Sequence, residues 1–185
     1  MASGFIQRFK GKALFGTGTL FQFGKALGTY GTFPAAGNIY EYSNATGTGN
    51  GNDTTEDTLQ SFTLPANAFD AIGRSLWVYA FGTFANNAHS KTGKLYFGSS
   101  IVLSTGANTT TGGISWALEL LVMKSGASAQ IASGQLITGT THGGVQNFTG
   151  TETDTAGIVI KVTGQTGTAA ANDVVVNGII AGAAN

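Results

Sequence analysis

From Leu59 onward, apolar and polar positions alternate in short runs divided by turn residues. In residues 74–84, RSLWVYAFGTF, Leu76, Val78 and Ala80 fall on one face of an extended chain and Trp77, Tyr79 and Phe81 on the other. That is the pattern of a central strand covered on both sides. Residues 114–124, ISWALELLVMK, place Ile114, Trp116, Leu118, Leu120 and Val122 on a single face. Leu118, Leu121 and Val122 also fit helical spacing, but period two over a run bounded by Gly113 and Gly126 favours a strand. The segment GKLYFG at 93–98 follows the 74–84 strand after an Asn-Asn-Ala-His-Ser turn cluster, which predicts a hairpin-like connection. The runs QIASGQLI, VQNFTG, GIVIKVTG and NDVVVNGIIAG continue the series, with Ile158, Ile160 and Val162 alternating against Val159 and Lys161. Counting residues 59–64, about eight or nine strands are expected with no convincing helix, the signature of an all-β sandwich, jelly roll or barrel. No tandem repeat emerges, so solenoids and propellers fall away.

The first 42 residues follow neither period. Phe5, Phe9, Phe15, Phe21, Phe23, Tyr30, Phe33, Tyr40 and Tyr42 are nine of the chain's nineteen aromatic residues (12 Phe, 5 Tyr, 2 Trp), interleaved with glycines such as Gly16, Gly18, Gly24, Gly28 and Gly31. A free-standing helix or strand is not expected there, because so much glycine makes independent ordering costly. Charge is skewed as well. Arg8, Lys10, Lys12 and Lys25 precede the first acid, Glu41, so residues 1–40 carry +4; the other five bases share the chain with all nine acids, giving −4. We read residues 1–42 as an extended N-terminal anchoring arm that orders against a neighbouring subunit. Its contact residues would be Phe5, Arg8, Phe9, Lys10, Lys12, Phe15, Phe21, Phe23, Lys25, Tyr30 and Phe33. The alternative is that it packs on its own domain. Residues 43–58, SNATGTGNGNDTTEDT, lack any large apolar side chain and read as a linker or long surface loop, leaving 59–185 as the β domain. Asp53, Glu56 and Asp57 lack the spacing of a calcium loop and read as solvated linker charge.

Composition narrows the class. Of 185 residues, 29 are Gly, only 10% are charged, none is Cys and the formal net charge is zero. Such a surface is neutral and hydroxyl-rich, gives no global field that would draw nucleic acid, and excludes disulfides and zinc–thiolate sites. Glycines and charges interrupt every apolar run well short of a membrane span, and Arg8, Lys10 and Lys12 interrupt the place where a signal peptide needs its apolar core. Candidate chemistry is thin. His89 and His142 sit in loop-like contexts and read as surface histidines. The stretch Gly16–Lys25 imitates a phosphate loop, but its glycine spacing is wrong and Ala26 replaces the magnesium-binding hydroxyl. Glu119 would need Asp154 or Glu152 beside it to make a glycosidase pair, yet it falls on the odd face of its strand with Ser115 and Ala117, as a solvent- or interface-facing charge. Asn86, Asn87 and His89 form a polar loop compatible with sugar binding, without specificity. The sequons at Asn44, Asn52, Asn108 and Asn147 are what chance supplies in so Asn- and Thr-rich a chain. The residues point to a non-enzymatic protein with no catalytic, cofactor or metal site.

The segments TLPANAF, GRSLWVYAFGTFANNAHSKTGKLYFG, SWALELLVMKSG and DTAGIVIKVTGQTGTAAANDVVVNGI, taken in order, resemble a recurring module of tailed-bacteriophage virion proteins over roughly residues 59–181. The resemblance implies a jelly-roll-like β-sandwich of the kind found in head decoration proteins, head fibres and tail fibres or spikes, with no catalytic residues to carry over. A small chain with a basic, aromatic extension before one such module resembles a cement protein strapped across capsid subunits. The expected partners are the major capsid protein or, in the rival reading, tail subunits. The rival is a tail-associated adaptor or short fibre. A homo-oligomer, trimer or dimer, located in the virion and bound to neither nucleic acid nor membrane, completes the expectation.

Overall fold

The structure, a computed structural model, describes residues 41–143 and 146–183, together with three short strands near the N-terminus. The chain divides into two compact units, residues 1–31 and 32–185. In the first, β1 (Arg8–Phe9), β2 (Lys12–Phe15) and β3 (Thr19–Gln22) form a small antiparallel sheet in the order β1-β2-β3. Free-standing strands were not expected in this stretch. Strands of two to four residues are too short to leave a period in a forty-residue stretch.

The second unit holds twelve described strands and, among the described residues, no helix. They are β4 (Glu41–Asn44), β5 (Thr48–Gly49), β6 (Asp57–Leu64), β7 (Ser75–Phe84), β8 (Lys91–Phe97), β9 (Ser100–Ser104), β10 (Ser115–Gly126), β11 (Ala129–Thr138), β12 (Thr141–His142), β13 (Gln146–Gly150), β14 (Ile158–Thr166) and β15 (Val174–Ala183). Two antiparallel sheets form a β-sandwich. The larger runs β12-β11-β10-β7-β15-β4, with β13 also paired to β11 and β5 to β15; the smaller runs β6-β14-β8-β9. The all-β sandwich expected from the alternation is what the chain adopts, and the run at 114–124 is strand.

The core lies between the sheets. Leu76, Val78, Ala80 and Phe84 of β7, Trp116, Leu118, Leu120 and Val122 of β10, and Ile158, Ile160 and Val162 of β14 are all buried. Each such aliphatic side chain contributes about 1.5–3 kcal/mol by leaving water. Gly82 makes room for the largest of them. It lies opposite Trp116 in the β7–β10 ladder, and a methyl group there would meet the indole at 2.6 Å and the carbonyl of Val175 at 1.9 Å. In β15 the inward positions change parity, from Val174 and Val176 to Ile179 and Ala181, because the register shifts between Val176 and Gly178. The inserted Asn177 is a β-bulge, which explains why NDVVVNGIIAG alternates imperfectly.

Two connections differ from expectation. β7 and β8 are not a hairpin, since they belong to opposite sheets and the intervening 85–90 segment arches over the core. Each strand buries one alternating face, and this arch points both faces inward. Residues 43–58 are not a free linker either. β4 and β5 pair with β15, Tyr42 stacks on Phe62 at 4.4 Å, and the side chain of Asn50, 2% exposed, bonds the 170–174 backbone. A buried amide with backbone partners replaces the apolar anchor that this stretch lacks. Residues 45–47 and 51–55 keep the exposed character expected of a loop.

Candidate binding face

Because β7 is central in the large sheet, its outward positions sit in the middle of a wide surface. The registers assign the neighbours row by row. Trp77 lies between Leu121 of β10 and Gly182 of β15, Tyr79 between Glu119 and Ile180, and Phe81 between Ala117 and Gly178. One strand further, Ser133, Gln135 and Ile137 of β11 stand opposite Leu121, Glu119 and Ala117. Leu121, Met123, Ile131 and Ile180 on this face are exposed, an uncommon state for large aliphatics unless something covers them. The three aromatic residues are half-buried by one another and by their neighbours. Trp77 and Tyr79 stack at 6.0 Å with 9° between planes, and Tyr79 and Phe81 approach at 5.7 Å. Phe81 reaches over β15, where a side chain on Gly178 would meet its ring at 2.9 Å.

A charge stands at the centre of this surface. Glu119 Oε2 accepts from the Gln135 side-chain amide at 2.6 Å and Oε1 from the Trp77 indole N–H at 3.1 Å. The bond from Gln135 and then that from Trp77 lower the Glu119 pKa against the opposing effect of burial. The face therefore presents an ionised carboxylate held by two neutral donors, amid apolar groups. Sequence reasoning placed Glu119 outward correctly but did not foresee its tie to the aromatic row, which spans strands 42 residues apart.

The carboxylates weighed as partners for Glu119 are elsewhere. Asp154, buried, pairs with Lys124 Nζ at 2.7 Å, and that same amine donates to the Phe69 carbonyl. Glu152 caps the β8–β9 turn through Ser99. Glu56, expected to be solvated, instead takes bonds from Lys94, Tyr96 and Thr163. Burial raises its pKa, but those bonds outweigh burial and carry it down to about 2, while burial and the Glu56 carboxylate push Tyr96 up to about 12.

His89 is not simply a surface histidine. Its Nδ1 lies 2.7 Å from Asp173 Oδ2, and Asp173, 2% exposed, also accepts from Asn87 Nδ2 at 2.6 Å and from the Thr166 hydroxyl at 2.8 Å. Burial alone would raise the Asp173 pKa; the bonds from Asn87, His89 and Thr166 overcome it and lower it. Beneath this node the wholly buried Lys91 Nζ is caged by Asn87 O at 2.6 Å, Asn87 Oδ1 at 2.9 Å and His89 O at 2.9 Å. The cluster consumes its own donors and acceptors in holding the 85–90 arch against the 166–173 connection. Beforehand only Asn86, Asn87 and His89 stood out, as a polar loop. His142 is exposed in β12. Among the described residues no three His, Asp or Glu side chains gather as metal ligands do.

Of the arm residues named as contacts, Arg8 and Phe9 fall in β1, Lys12 and Phe15 in β2, and Phe21 in β3. Phe5, Lys10, Phe23, Lys25, Tyr30 and Phe33 lie outside the described residues. No protein-family model matches the chain, and no curated protein matches it. Among solved structures, the CBM2 module of the evolved Dit of Lactobacillus casei BL23 phage J-1 is similar over 66% of this chain and 67% of that one, at 11% sequence identity and a TM-score of 0.36.

Proposed function

We propose that this chain is a non-enzymatic structural protein of a virus particle, a capsid decoration protein whose N-terminal segment docks on neighbouring capsid subunits and stabilises them. The observation that carries the reading is the division of labour along the chain. A separate N-terminal unit has four bases and no acid before residue 41, whereas the acids of the sandwich are mostly tied up in bonds that hold loops and strands together. Polar clusters whose hydrogen bonds are spent internally rigidify a scaffold; they do not leave a base or nucleophile poised for a substrate. A rigid body with a basic, aromatic strap suits a cement role. The test is gold labelling of intact particles with antibody against the full chain. Label over the whole head is expected, and label confined to the tail would overturn decoration.

A second reading, a tail-associated adaptor or short fibre that binds host-surface carbohydrate, is favoured by one feature. Trp77 and Tyr79 stand beside the Glu119 carboxylate and the Gln135 amide, and aromatic rings next to such groups suit the C–H faces and hydroxyls of a sugar. Saturable thermal stabilisation by host-surface glycan, lost in Tyr79→Ala, would support it.

A further inference from the structure

We propose that the outer face of the large sheet is a two-fold contact between two copies of this chain, packed face against face. The inference stands apart from the decoration reading, competes with a sugar for the same face, and rests on three observations.

The first is the contrast between the two outer faces of the sandwich. That of the small sheet carries Ser61, Thr63, Lys94, Tyr96 and Lys161, with Lys161 Nζ 4.4 Å over the Tyr96 ring, and the exposed aliphatics Val159 and Ile101 are set apart among these polar groups. The large sheet's outer face instead gathers four of the seven exposed large hydrophobics of the described residues, Leu121, Met123, Ile131 and Ile180, around the aromatic row.

The second is size. The face spans five strands at about 4.8 Å spacing and four side-chain rows at about 6.8 Å, or about 25 by 25 Å with side chains, so about 600 Å² in projection. That is the scale of the roughly 800 Å² of accessible surface each partner contributes to a specific complex.

The third is self-complementarity. In a two-fold contact residue i meets j while j meets i. An axis running along the strands midway between β7 and β10 exchanges these two strands, so each row of the registers above pairs with itself. Phe81 then meets Ala117 of the second copy, large on small. Trp77 meets Leu121, apolar on apolar. Tyr79 meets Glu119, a phenol donor on an ionised acceptor that has lone pairs left after Gln135 and Trp77. The Glu119 carboxylate at the centre of the face is thereby hydrogen-bonded from both copies instead of stranded. Two sheets packed in this way stand about 10 Å apart.

Sedimentation velocity on the full chain, across nanomolar to tens-of-micromolar concentration, tests this. The wild type should dimerise, and Leu121→Arg and Ile131→Arg should each weaken the dimer at least tenfold. Ile101→Arg, at an exposed position in β9 of the other sheet, should leave the dissociation constant unchanged. Because the chain has no cysteine, Ser133→Cys accepts a single spin label without altering the apolar contacts. Ser133 lies one and a half strand spacings from the axis, so dipolar coupling should centre near 2 nm. A wild type that stays monomeric throughout, an oligomer whose dissociation constant moves less than threefold in both face variants, or labels farther apart than about 4 nm would each overturn the proposal.

Discussion

Asp173→Asn isolates the most connected polar node in the sandwich. Asp173 Oδ2 receives His89 and Thr166, and Oδ1 receives Asn87 Nδ2. An amide keeps the shape but offers one oxygen. If that oxygen stays toward His89 and Thr166, its NH₂ faces the NH₂ of Asn87. Asn87 cannot flip to answer, because its Oδ1 is already bonded to the caged Lys91 Nζ at 2.9 Å. The substitution also removes a charge, which relieves desolvation, and the sign must be decided between the two. The lowered pKa of Asp173 shows the bonds outweighing burial, so the ionised form is the favoured one and its loss is destabilising. A lost bond to a charged group, about 1.5–3 kcal/mol, plus a stranded donor, about 1–3, less the desolvation relieved, gives a loss of about 3 kcal/mol. At about 2–4 °C per kcal/mol for a domain of this length, Tm should fall by about 6–12 °C. Urea unfolding followed by circular dichroism measures it. Adding Asn87→Asp to Asp173→Asn moves the carboxylate next to Lys91 and lets the new amide donate to it, so part of the loss should return. A single-variant loss below about 1 kcal/mol, or no recovery in the double variant, refutes the node.

The folded-state pKa of Glu56, about 2, lies below its ordinary 4.5, so its contribution is present above pH 4.5 and is lost as pH falls through 2. Discounted for solvent screening, that is about 1–2 kcal/mol across the window, and Glu56→Gln should flatten this part of a stability-versus-pH curve; an unchanged slope would contradict it. Gly82→Ala should cost about 3 kcal/mol or more, because the added carbon meets the backbone of β15 as well as the Trp116 ring. Gly47→Ala, whose nearest neighbour would be the Val176 carbonyl at 3.9 Å, should shift the urea midpoint little in either direction.

Much of the fold was legible because period two is a local property. The alternation in 76–81, 114–122 and 158–162 identifies β7, β10 and β14 without reference to any partner. The bulge at Asn177 was less visible, since one extra residue turns a clean alternation into the ambiguous NDVVVNGIIAG. The β7–β8 connection was misread because turn residues announce that a chain turns, not whether it returns to its own sheet or crosses to the other. The linker at 43–58 was misread for a related reason. Its small polar residues look solvated in isolation, and Asn50 is held only because Val174, 124 residues later, comes back beside it.

The N-terminal charge skew, the aromatic segment and the strand periodicity are properties of neighbouring residues, and the sequence by itself determined them. The state of each polar side chain was decided only by the tertiary structure. Glu56 and Thr163 are 107 residues apart, Asn87 and Asp173 are 86, and Lys124 and Asp154 are 30. The same holds for the outer faces. Alternation shows that Trp77, Tyr79 and Phe81 share a side, but whether that side meets a second sheet, water or another chain depends on which strands flank β7. That choice follows from how both sheets bury their apolar faces at once, a condition on the whole chain that no local window contains.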